Sequence, residues 1–151
     1  MGRIVVGIDD TEASRKALQW AANEARMHKS TLEIIYVYQS HDAGEYCYEM
    51  ELSPKETEFA GDAVEQAAID ATERARDLAL QAGLDLDDDA STRVVAVREH
   101  RPADALIRHS SNAEMLVLGC RSHGIHSLVS IGSVSRECAL HSHCPVTIIH
   151  A

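Results

Sequence analysis

No apolar run in this sequence approaches the roughly 18 residues that a membrane-spanning helix needs. Positive charge is scarce: 14 lysines and arginines stand against 24 aspartates and glutamates, for a formal net charge of −10. That balance disfavours DNA, RNA and anionic membranes as partners, because each presents a phosphate surface. It leaves room for one small anion, which a few backbone N–H groups can hold locally. Proline and glycine are few, three and eight residues, which argues against a fibrous or disordered chain. The four cysteines, Cys47, Cys120, Cys138 and Cys144, contain no CxxC pair. The opening MGRIVVGIDD meets two aspartates after a short apolar run, unlike a secretion signal. Reduced thiols and a cytoplasmic location are the expectation.

What is present is the material of one domain over residues 1–151. Hydrophobic residues make up 45% of the chain, enough for a core. Arg3 to Ile8 is a β-branched run suited to a strand buried on both faces. Asp9, Asp10, Thr11 and Glu12 follow, residue types that cap a helix. Ala13, Ala17, Ala21 and Ala25 then recur every fourth residue, a small-residue face made for close packing. Leu32 to Tyr38 predicts a second strand, and residues 39–52 a loop. Ser53, Pro54 and Glu56 give three agreeing helix-start signals, and Gly83 a stop.

Asp85 to Asp89 reads as a solvated acidic turn, without the ligand spacing of a calcium loop. Thr92 to Val97 predicts a third strand, and Pro102 the start of a helix with Ala103, Leu106 and Ile107 on its apolar stripe. Glu114 to Leu118 predicts a fourth strand, Val134 to His141 a short helix, and Val146 to Ile149 a last strand. Alternation of this kind predicts a doubly wound α/β fold: five parallel strands with helices on both faces. Ligands of such sheets bind beyond the carboxyl ends of the strands, where strand order reverses. Asp9–Thr11, Val37–Tyr38 and Gly119–Ser122 are expected to meet there.

Three phosphate or nucleophile patterns fail. The turn after the first strand, IDDTEAS, has no glycine, which excludes the dinucleotide fingerprint. Gly119 and Gly124 have P-loop separation, but Ile125 and His126 stand where lysine and a hydroxyl residue must be. Ser122 and Gly124 match part of a nucleophile elbow, with Cys120 in place of its first glycine. In the last third, Cys138, His141, His143 and Cys144 match no standard zinc spacing.

A fourth pattern fits. The chain resembles the universal stress protein family over essentially its whole length. The resemblance is carried by VVGIDDTEASRKALQWA, RPADALI, LVLGCRS and GSVSRECALHSHCPVTII. The nucleotide-binding branch of that family has Gly, two residues, Gly, nine residues, then Gly and Ser or Thr. Gly119 takes the first place and Gly132-Ser133 the last, with the spacing intact; Ser122 replaces the middle glycine. The resemblance implies a Rossmann-like fold of the adenine nucleotide alpha-hydrolase type. It implies ATP, with AMP or another adenylyl ligand as options, bound by Asp9, Thr11, Val37, Gly119, Arg121, Ser122, Gly132, Ser133, Val134 and Ser135. Asp9 would reach the ribose or a Mg²⁺-bound phosphate, and the Val37 backbone the adenine edge. A stress-response role with no catalytic residue, and at most weak ATPase activity, follows.

The residues carry their own physics. Gly119 allows a close backbone approach at the end of a buried strand. Gly132 and Ser133 open a helix whose unpaired N–H groups and positive dipole end attract phosphate. Ser133 and Ser135 add hydroxyl donors. The alternatives stay open: a plain helix cap for Asp9, Asp10 and Gly132-Ser133, and core packing for Val37. Asp10 and Thr11 stand where the family often has Gly and Ser, and a second carboxylate repels triphosphate unless Mg²⁺ intervenes. His100 replaces a glycine often found there. If position 122 requires a left-handed backbone, serine costs about 1–2 kcal/mol, or roughly tenfold to thirtyfold in affinity. An interaction protein that binds no nucleotide and acts only through unknown protein partners is therefore the competing reading. The last strand predicts an unblunted sheet edge, and in the family a similar strand pairs with its twin. A homodimer through Val146–Ile149 is the expectation.

Overall fold

The computed structural model describes residues 2–39, 54–87, 90–120 and 132–151. The chain order is β1 (Arg3–Ile8), α1 (Glu12–His28), β2 (Thr31–Tyr38), α2 (Pro54–Gln81), β3 (Thr92–Arg98), α3 (Pro102–His109), β4 (Met115–Cys120), α4 (Ser133–His141) and β5 (Val146–His150). The strands form one sheet in the order β3-β2-β1-β4-β5, and every neighbouring pair is parallel.

Alternation within each strand divides the core between two faces. Ile4, Val6 and Ile8 of β1, Leu32 and Ile34 of β2 and Val117 of β4 pack with the alanines of α1 and with Ala79 and Ala82. Val5, Ile35, Leu116 and Leu118 pack on the other face with Ala103 and Leu106 of α3 and Cys138 of α4. Ala17 and Ala21 are fully buried, as the four-residue repeat predicts, because a helix lying on a central strand has room only for methyl groups.

Helix ends follow their local chemistry. Thr11 caps α1, its hydroxyl accepting from Ser14 N at 3.2 Å. Pro54 opens α2, as its fixed φ favours; Ser53 and residues 40–52 lie outside the described residues. Gly83 ends α2 in the left-handed region at φ 87°, with Leu84 N donating to Ala79 O at 3.1 Å. α1 ends the same way on a non-glycine residue, Lys29, at φ 54°.

The bounds of five elements differ from the sequence reading by one or two residues, and two of the differences bear on the site. β4 runs on to Cys120, because β5 pairs Gly119 with Ile149 and Cys120 with His150. Gly119 therefore lies inside the strand, not at its end. α4 begins one residue earlier than predicted, at Ser133, with Gly132 as its N-cap.

Candidate functional site

β1 has β2 on one side and β4 on the other: the chain winds from β1 through β2 to β3, then crosses back to β4 and β5. The carboxyl ends of β1 and β4 thus flank the point where strand order reverses. A cavity of about 150 Å³ opens there. Its wall includes Asp9 and Thr11 after β1, Ile35 and Val37 of β2, Gly119 of β4, and Val134 and Ser135 of α4. Six of the residues singled out by the motif, Asp9, Thr11, Val37, Gly119, Val134 and Ser135, share this one wall. Gly132 and Ser133 are exposed at the start of α4. Tyr38 is not in the wall. Arg121 and Ser122 lie outside the described residues, as do Gly124, Ile125 and His126.

The turn after β1 is built from its own side chains. Thr11 N donates to Asp9 Oδ1 at 2.9 Å, and the Thr11 hydroxyl donates to the same oxygen. Asp9 N donates to Ser14 Oγ at 2.7 Å. The capping reading of this turn is thus realised, with Thr11 rather than an aspartate as the N-cap, and it places the Asp9 carboxylate at the cavity rim. Asp9 is the only titratable group among the described residues of the wall.

Gly119 is needed for a different reason from the one the sequence suggested. A Cβ built on it would lie 2.4 Å from Ala13 C and 2.7 Å from Ser14 N. The close approach is to the backbone of α1, where β4 and the helix start touch. Gly132 has an ordinary φ of −54°, and nothing described lies within 4 Å of a Cβ there. The described fold does not require glycine at that position. α4 has no side-chain cap, so its first-turn N–H groups keep their positive dipole end. Ser135 is buried, and its hydroxyl donates to Gly119 O at 3.3 Å. That hydrogen already ties α4 to β4, so a phosphate would have to displace it.

Val37 lies one residue past the last β1–β2 pair, Ile8 with Tyr36, and pairs with Val97 of β3. Its side chain packs against the α3–α4 face of the core. Core packing and a place in the cavity wall hold together. The sequence reading missed Ser14, Pro102 and Leu106, which also line the wall. It also missed Arg74. Arg74 Nε donates to Asp10 Oδ1 at 2.9 Å, and Nη2 donates to the same oxygen. The carboxylate expected to repel phosphate thus has a cation of the chain's own. Tyr36 lies nearby, its hydroxyl pushed above the ordinary phenol range by burial and then by the Asp10 charge.

Among the described residues no group of three or more histidines, cysteines, aspartates or glutamates could hold a metal ion. No helix of the described residues is long and apolar enough to cross a membrane.

Comparison with known proteins agrees with this fold. Residues 1–150 match the universal stress protein family. A universal stress protein of Mycobacterium tuberculosis is 31% identical over 147 residues, covering 97% of this chain and 47% of its own length. The chain spans about half the length of the curated relatives it matches. Among solved structures, a universal stress protein from Lactobacillus plantarum superposes with a TM-score of 0.65 at 19% identity, covering 98% of this chain and 97% of that one. A universal stress protein in complex with cAMP gives a TM-score of 0.60 at 23% identity, covering 99% of this chain and 96% of that one. One from Archaeoglobus fulgidus in complex with dAMP gives 0.54 at 18%, covering 99% and 98%. The chain belongs to the universal stress protein family.

Proposed function

We propose that this chain is an adenine-nucleotide-binding regulatory protein, with ATP as its ligand and little or no hydrolysis of it. One observation carries the reading: the cavity at the reversal point gathers Asp9, Thr11, Val37, Gly119, Val134 and Ser135 from four separate segments. The base would lie against Val37, the ribose at Asp9, and the phosphates toward Gly132 and Ser133 at the start of α4. Structures of similar fold in complex with cAMP and dAMP support an adenylyl ligand. AMP competes for the same cavity in this reading. Asp9 is the residue that would hold a Mg²⁺ ion, which would supply charge neutralisation for the phosphates. The only carboxylate in the described wall has one oxygen held by Thr11, which favours binding over base catalysis.

A second reading has its own observation. The Ser135 hydroxyl and Asp9 Oδ1 are already used inside the fold, which is what an interaction protein without nucleotide would show. Mass spectrometry of the freshly purified, denatured protein separates the two. Co-purified adenine nucleotide at near one per chain is the expected result. Protein free of nucleotide that also fails to rebind it would favour the second reading.

A further inference from the structure

Asp10 is one residue from the cavity wall, yet it does not belong to it. Its two chain neighbours, Asp9 and Thr11, line the cavity between β1 and β4. Both also line a neighbouring cavity of about 250 Å³ toward α2, with Leu78 and Gln81, and Asp10 lines that second cavity but not the first. There the Arg74 guanidinium holds one of its oxygens from two nitrogens, Nε at 2.9 Å and Nη2. The two side chains are about half exposed, so the pair contributes little to stability. What it does decide is where a negative charge rests beside the site.

We infer that Arg74 is a positioning residue for the nucleotide site: it holds the Asp10 carboxylate on the α2 side of the turn and cancels its charge, so that an anion can enter beside Asp9. The inference rests on the nucleotide reading above. Without Arg74, two uncompensated carboxylates would stand at consecutive positions on the rim. A like charge within several ångströms of a polyphosphate is worth a several-fold change in affinity, even under surface screening. The penalty must grow with ligand charge and vanish for a neutral nucleoside. A purely architectural role for Arg74 in seating α2 would penalise all ligands alike.

The test is calorimetric titration of the wild-type chain, Arg74→Gln, Asp10→Asn and the double variant with Mg·ATP, AMP and adenosine. Arg74→Gln is expected to weaken ATP binding roughly threefold to tenfold at low salt, AMP less, and adenosine not at all. The double variant is expected to return to wild-type affinity, and the ATP loss to shrink as salt rises. Asp10→Asn alone is expected to bind ATP at least as tightly as wild type; it serves if Arg74→Gln does not fold. An equal loss for adenosine, an unchanged ATP affinity, a failure of the double variant to recover, or weaker ATP binding by Asp10→Asn would each overturn this role for Arg74. A wild-type chain that binds none of the three ligands would overturn the nucleotide reading itself, and this role with it.

Discussion

Single residues show where a sequence pattern has more than one cause. Gly119 fits a nucleotide motif, but the contact that forbids a side chain there is with the backbone of Ala13 and Ser14. Gly119→Ala should therefore destabilise the fold by about 1–3 kcal/mol, whether or not ligand is present, through overpacking between β4 and α1. Urea unfolding of the free protein measures it. A variant of unchanged stability that had lost only nucleotide affinity would show that the glycine serves the ligand alone. Cys138 makes the opposite point: a cysteine in a His/Cys-rich stretch without standard zinc spacing is a packed core residue with no exposed surface. Burial pushes its thiol up to about 12 from an ordinary value of 9.0. At pH 8 the folded chain should leave Cys138 unmodified by a thiol reagent, and unfolding should release it. Because the folded-state value is the higher one, the contribution of this thiol to stability should be constant below about pH 9 and fall as pH rises toward about 12. Rapid labelling of Cys138 in the native protein at pH 8 would contradict that.

Elements were legible where the chain signals them locally. The four-residue alanine repeat, Pro54 and Gly83 fixed the helices because each acts through its own backbone or its own turn. Two things were not legible. Ser14 reads as one more helical residue until the turn closes and its Oγ receives Asp9 N. Arg74 lies 64 residues from Asp10, and only the seating of α2 over β2 and β3, next to α1, brings them together. The end of α1 carries a correctable cost. Lys29 takes a left-handed backbone at φ 54°, which costs a non-glycine residue about 1–2 kcal/mol. Lys29→Gly gains back part of that, offset by the greater freedom of glycine in the unfolded chain. A net gain of about 0.5–1 kcal/mol is expected in chemical denaturation. A loss would mean that the lysine side chain contributes more than its backbone costs.

At the scale of the whole molecule, the sheet order places the ligand cavity at its centre and leaves β3 and β5 as edges. The alternation of elements was enough to foresee parallel strands with helices on both faces, and the reversal point that follows from them. β5 is bare of charge before His150, and its residues are partly exposed. We expect it to pair with the same strand of a second copy, giving a homodimer. Light scattering should return twice the chain mass at micromolar concentration, and Ile148→Lys should return one. A wild-type monomer would remove that interface from the account. The net charge of −10 gives the protein no long-range attraction for an anion. In the proposed reading, nucleotide affinity would therefore depend on local donors: the start of α4, whatever Mg²⁺ the phosphates bring, and the neutralised turn after β1. The most direct measurement is calorimetric titration of nucleotide-free protein with Mg·ATP. The account predicts saturable binding of about one nucleotide per chain, with a matching rise in thermal stability that reaches about 2.7 kcal/mol at a hundredfold excess over Kd. No heat and no thermal shift at millimolar ATP, ADP or AMP would contradict it.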